Sequence, residues 1–151
     1  MSVGAEVVIR QFGLLAHPEG GWYREIFRSP HRVQSHSEDR SALTVIHYLL
    51  ARGTYSAWHR VDADEAWFFS DGSAIEHLIA APDFGSVVRR RLIDATPVSI
   101  APAGWWQAAY TEGDWALVQC VVAPGFEFSK FELARDSGME AAVAEGLSWL
   151  L

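Results

Sequence analysis

Hydrophobic and polar positions alternate along most of this chain in short runs that read as β-strands, and they switch to a helical period only near its two ends. Ala5, Val8, Ile9 and Phe12 follow the spacing of an apolar helical stripe, so residues 3–12 are expected to form a short helix capped by Ser2. Pro18, Gly20 and Gly21 then break the chain before an alternating strand from Trp22 to Arg28. One face of that strand carries Trp22, Arg24, Ile26 and Arg28, the other Tyr23, Glu25 and Phe27. Either Arg24 or Glu25 points into a cavity, or both pair with neighbours at a rim. Residues 30–41, PHRVQSHSEDRS, have no period and read as an exposed loop with little order of its own, His31 and His36 facing solvent. The strand at 43–51, LTVIHYLLA, holds His47 as a satisfied interior group or as a pocket residue.

The stretch GTYSAWHRVDADEAWFFSDG, residues 53–72, is the expected chemical centre. Read as a hairpin around Asp62, Ala63 and Asp64, it sets Val61 opposite Glu65 and His59 opposite Trp67. His59 and Glu65 then become diagonal neighbours on one face, roughly 7–8 Å apart at the backbone. Further strands are expected at 74–81, at VVRRRLI and at WALVQCVVAP, where Gln119 shares a face with Leu117 and Val121 while Cys120 lies opposite as a small core residue. Pro102 and Gly104 mark a corner, and Arg89, Arg90 and Arg91 read as a solvated edge. In the tail, Met139, Ala142, Val143, Gly146, Leu147 and Leu150 form a second helical stripe with Ser137 and Glu140 at capping-box spacing, predicting a helix over about 137–150. It would cover an open barrel end or pack on a partner chain. Many short strands with helices only at the ends make this an all-β chain, a barrel or sandwich able to hold one small ligand.

The 151 residues suit one domain over 1–151, with a barrel core at about 20–134. No apolar run approaches the roughly 20 residues of a membrane helix. A formal charge of −7 argues against nucleic acid and anionic membranes as partners. The start MSVGAEVVIRQFG has no secretory pattern and Cys120 is the only cysteine, so the expected location is cytoplasmic.

The run Gly53, His59, Val61, Glu65, Gly72 resembles the first signature of the cupin superfamily, with valine where the family has a second histidine. Pro102-Ala103-Gly104-Trp105-Trp106-Gln107 is similar to the second signature, with glutamine in place of its histidine. HPEGGWYRE, WHRVDADEAWFF, PAGWWQAA and VAPGFEFSKFELA together resemble the small branch called cupin type 5, which has no agreed biochemical role. The resemblance spans roughly residues 12 to 135 and implies a double-stranded β-helix, or jelly-roll barrel, commonly assembled as a homodimer through sheet extension. It also implies a metal position at His59, Glu65 and Gln107 with Val61 lost, and a divalent transition metal is the one cofactor it leaves open.

Three functions follow as expectations. In the first, the barrel binds a small polar or aromatic molecule and isomerises or epimerises it, with His59 as base and Glu65 as its orienter. Arg24, His47, Gln107 and Gln119 would hold the substrate between aromatic walls of Trp67 and Phe69, with Trp58, Trp105 and Trp106 nearby. The second is a non-catalytic binding or sensing module, and the third a metal-dependent oxygenase or lyase with a degenerate site. Against all three, His59, Glu65 and Gln107 would merely satisfy one another inside the barrel.

Overall fold

A computed structural model describes residues 4–151, so the expected cap at Ser2 lies outside the described residues. Helix α1 (Ala5–Phe12) leads into β1 (Leu15–Ala16), β2 (Trp22–Arg28), β3 (Arg32–Ser35), β4 (Glu38–Ser41), β5 (Thr44–Ala51) and β6 (Tyr55–Arg60). Then come β7 (Asp64–Gly72), β8 (Ile75–Ala80), β9 (Val87–Leu92), β10 (Val98–Ala101), β11 (Trp106–Thr111), β12 (Trp115–Ala123) and β13 (Glu132–Leu133). The strands form a six-stranded sheet, order β1-β2-β5-β12-β7-β10, a five-stranded sheet, order β13-β6-β11-β8-β9, and a hairpin of β3 and β4. Every pairing is antiparallel. Among the described residues no helix is long and apolar enough to cross a membrane.

The two larger sheets face each other and enclose Tyr48, Leu50, Trp67, Ile75, Leu92 and Val118. Helix α1 lays Val8 on Leu49, Leu117 and Trp115 on the outer face of the six-stranded sheet. It ends at Gly13, whose left-handed backbone (φ 62) lets the N–H groups of Gly13 and Leu14 close on the carbonyls of Arg10 and Ile9.

Three expectations change. The stretch at 53–72 is not a hairpin: β6 pairs with β11 and β13, β7 with β12 and β10, and Val61 to Ala63 cross from one sheet to the other. Side chains outside the stretch hold that crossing, since Asp62 accepts from Arg40 and Asp64 accepts from the Ala103 N–H. Residues 30–41 are not a featureless loop but the β3–β4 hairpin, whose Arg40 turns inward to Asp62 and to the Gly125 carbonyl. His31 and His36 are exposed, as expected.

The tail is helical only as short 3-10 turns, Glu140–Ala142 and Glu145–Leu150, rather than one run over 137–150. The Trp58 indole donates to the Leu147 carbonyl, and the Leu151 N–H closes on Ser148 instead, so an α-helical ladder is not completed there. Ser137 bonds the carbonyls of Leu133 and Ala134 rather than capping a helix. The tail stripe packs on the outer face of the five-stranded sheet, where Val143, Leu147 and Leu150 meet Trp58, Leu78 and Trp106. Each side chain fully buried there contributes about 1.5–3 kcal/mol.

Candidate functional site

Between the sheets lies a cavity of about 260 Å³. Strand parity decides what enters it. On β5 and β12 the inward positions are Thr44, Ile46, Tyr48, Cys120 and Val122; on β7 they are Glu65 and Trp67. On β2 a bulge between Glu25 and Phe27 shifts the alternation, so Arg28 rather than Phe27 follows Tyr23 and Glu25 inward. His59 and Val61 enter from the opposite sheet.

The turn before β2 supplies His17 and Glu19. Gly20 and Gly21 hold positive φ (105° and 72°), and a Cβ on Gly20 would stand 2.1 Å from the Tyr55 carbonyl oxygen. Only a bare backbone fits there, and the close approach presses Glu19 against β6, where the Ala57 N–H bonds its carbonyl (2.8 Å) and Ser56 Oγ donates to its carboxylate (2.8 Å). Gly20→Ala is therefore expected to cost about 2 kcal/mol and to displace Glu19. A thermal melt of the variant unchanged within error would contradict this.

His59 is fully enclosed. Its Nδ1 lies 2.7 Å from the Ala57 carbonyl, which assigns the proton to Nδ1. Its Nε2 faces Glu19 Oε2 at 3.2 Å. Two acceptors do not face each other stably, so one proton is shared, held by Glu19 as an acid or by His59 as imidazolium. Burial pushes the Glu19 carboxyl up and the His59 imidazole down, the latter against the pull of Glu65. His17 Nδ1 accepts from the Glu19 N–H (3.2 Å), and burial lowers its pKa too.

Glu65 sits across the cavity from that pair, its pKa raised by burial to about 7. Gln107 orients it. Because the Trp67 indole N–H is donor-only, the amide atom 3.0 Å away is Oε1, leaving Gln107 Nε2 to donate to Glu65 Oε2 at 2.5 Å. The second partner of Gln107 Oε1 is His77 Nε2 (3.0 Å), whose Nδ1 meets Ser99 Oγ (2.8 Å). Burial holds His77 down to about 3, a neutral ring fixed in one tautomer. Besides Gln107, the Cys120 thiol is a hydrogen-bond partner of the Glu65 carboxyl.

The mouth is aromatic. Phe126, Phe128 and Phe131 form a strap, with the Phe126 N–H donating to Thr44 Oγ1 (3.0 Å) and Arg28 donating to the Phe126 carbonyl (3.0 Å).

Of the residues expected at the site, His59, Glu65 and Trp67 line the cavity. Gln107 stands behind Glu65 and positions it. Arg24, His47 and Gln119 lie in one row on the outer face of the six-stranded sheet: Arg24 donates to the Phe12 carbonyl, the His47 ring meets Phe12 edge-on, and Gln119 contacts His47 Nδ1 at 3.2 Å. Their parity is opposite to that of Tyr48 and Cys120, so the closure of the sheets over those two leaves them outside. Phe69 packs against the enclosed core rather than the cavity, and Trp58 and Trp106 lie under the tail. His17 and Glu19 were missed, because Pro18, Gly20 and Gly21 read only as breakers. The available signal was a pair of titratable side chains beside consecutive glycines, where backbone can approach backbone.

A family model described as "Cupin superfamily (DUF985)" matches residues 6–134. The chain belongs to the cupin superfamily. It is similar to protein SO0799 from Shewanella oneidensis, at 32% identity and TM-score 0.81 over 93% of this chain and 90% of that one. A hypothetical protein from Leishmania major, 24% identical, shares the fold at TM-score 0.88 over 98% of both chains. KdgF from Halomonas sp. shares it more loosely, with 17% identity and TM-score 0.54 over 74% and 86%. No curated protein matches.

The metal position that the cupin pattern implies is not met by the residues present. Val61 offers no donor, and the Gln107 oxygen already accepts two N–H groups while its nitrogen faces Glu65. Among the described residues no group of three or more His, Cys, Asp or Glu side chains is arranged to hold an ion.

Proposed function

We propose that this cupin binds a small molecule in its cavity and moves a proton on it, as an isomerase or epimerase does, through Glu65 and the Glu19–His59 pair. What supports this reading is that two buried titratable systems line one cavity, Glu65 on β7 of one sheet and His59 on β6 of the other, with Glu19 beside it, the first a carboxyl raised to about 7. Ionised Glu65 takes a proton from a carbon beside a carbonyl, and the C–H electron pair moves into the enolate. The Glu19–His59 proton goes to the opposite face or the neighbouring carbon. Solvent exchange then restores both groups. The roles differ from the sequence-based expectation: Glu65 is the base, and His59 with Glu19 is the acid.

The test is incubation in D2O with a panel of small carbonyl compounds, read by mass spectrometry. Deuterium should enter a carbon next to the carbonyl of at least one compound, and Glu65→Gln should slow entry at least about a hundred-fold. Compounds that bind without exchanging would instead leave a non-catalytic binding module.

The family expectation of a homodimer also has support. Beyond the area under α1, the outer face of the six-stranded sheet carries Phe27, Val45, Val121, Ala66 and Ile100 across five strands, with no charged side chain in the row. Phe27 and Ile100 are about half exposed (50% and 56%). A second copy brings an uncharged band against its own equivalent without like-charge repulsion. The double variant Val121→Lys/Ile100→Lys should sediment as a monomer where the parent is a dimer. A monomeric parent at about 10 μM would remove the idea.

A further inference from the structure

Four carboxylates line the cavity and its mouth: Glu19, Glu25, Glu65 and Glu127. The single permanent cation among the lining residues is Arg28, and four of its five N–H donors are already committed, three of them to two carboxylates that outweigh its charge. Nε and Nη2 bond Glu25 (3.2 and 2.7 Å), Nη1 bonds Glu127 (3.3 Å), and Nη2 also reaches the Phe126 carbonyl (3.0 Å). His17 presents a lone pair at Nδ1 to the Glu19 N–H, and the His59 Nδ1 proton is spent on the Ala57 carbonyl. An anionic ligand therefore finds no charge to answer it. Glu65, buried at the floor, is bonded by the Gln107 amide and the Cys120 thiol, and the one base coupled to it, His59, is itself held to Glu19, so its negative form lacks a permanent counter-ion. Trp67 and Tyr48 line the cavity from the enclosed core, and Tyr23, Phe128 and Phe131 line it towards the mouth, rings whose π faces favour positive charge.

We propose that the cavity selects a small organic cation, an amine or alkylammonium of roughly nine water volumes at most, with its positive end at Glu65 and its apolar body among the rings. This deepens the reading of the cavity as a ligand site and does not depend on any proton moving within the ligand. The groups facing Glu65 are His59 from β6, Glu19 from the turn, Gln107 from β11 and Cys120 from β12, none with a permanent positive charge. A bound cation favours the ionised carboxylate, so binding expels a proton and tightens as pH rises through the range where Glu65 titrates.

Benzylamine, benzyl alcohol and benzoate, near-identical in shape but different in charge, make the test by isothermal titration at about pH 6 and pH 8. Benzylamine should bind at least about tenfold tighter than benzyl alcohol at the higher pH, benzoate should bind weakest, and amine affinity should fall about tenfold at the lower pH. Buffers of different ionisation enthalpy should report net proton release. Glu65→Gln, with an intact thermal melt, should lose the preference for the amine over the alcohol. Equal or tighter binding of the alcohol or benzoate overturns the assignment, as does failure of all three to bind at about 10 mM. Amine selectivity without deuterium exchange on any ligand would defeat proton transfer alone. Exchange on a neutral carbonyl compound without amine preference would defeat the cation assignment alone.

Discussion

Glu65→Gln should lower proton-transfer turnover by roughly a hundred- to ten-thousand-fold and yet make the protein more stable at pH 8. Both effects come from one carboxyl. With a folded pKa of about 7 against an ordinary 4.5, Glu65 binds its proton more tightly in the native state than in the unfolded chain. Its contribution to stability is fully present below pH 4.5 and is lost as pH rises towards and through 7. At about 1.4 kcal/mol per decade, the loss comes to about 3 kcal/mol. A glutamine keeps the shape, accepts the Gln107 N–H through its own oxygen and never ionises. The buried histidines act with the opposite sign, because their lowered pKa values favour folding as pH rises towards their ordinary 6.5. His17 and His77 are common to both proteins and cancel in the difference, whereas His59 loses the upward pull of Glu65 in the variant, which adds to the gain as pH rises. Urea unfolding at about pH 5 and pH 8 should show the variant gaining on the parent as pH rises. A constant difference would mean that Glu65 titrates normally.

Asp62→Ala should cost about 3 kcal/mol although Asp62 does not itself line the cavity. Arg40 is 3% exposed, and its Nη1 lies 2.8 Å from both oxygens of Asp62 while Nη2 donates to the Gly125 carbonyl. Removing the carboxylate strands a buried guanidinium. The figure sits at the lower end for broken buried pairs because Asp62 itself is 32% exposed, so water partly replaces it. Arg40 ties the β3–β4 hairpin to the crossing between β6 and β7 and to the start of the aromatic strap, so the damage should extend to the mouth. A second change, Arg40→Met in the Asp62→Ala background, should recover much of the loss, because an apolar side chain leaves no charge behind. Chemical denaturation of the set measures this. A double variant no better than Asp62→Ala would show that the pair acts by some other route.

The alternation that made Trp22 to Arg28, 43–51 and 115–124 legible as strands is a local property, and those elements stand nearly where expected. Which face looks inward is not local. Arg24, His47 and Gln119 sit in strands as well formed as those carrying Tyr48 and Cys120, and only the closure of one sheet over another, with α1 on the far side, tells them apart. The bulge in β2 exchanges Phe27 for Arg28 on the inward face, and nothing in WYREIFR marks it. The tail stripe looked helical because its apolar spacing suits a helix. A flat sheet face and the Trp58 indole claimed its backbone differently.

Taken alone, the order of residues determined that this is a β-rich chain whose spaced signatures resemble those of the cupins and single out His59 and Glu65, since strand period, turn residues and signature spacing all reside in neighbouring positions. Only the tertiary structure decided the partners of those two groups. His59 answers to Glu19 from a turn forty residues earlier, and Glu65 to Gln107 forty-two residues later. Such pairings depend on how the sheets close and on a glycine close approach at Gly20, which are properties of packed volume and not of sequence spacing.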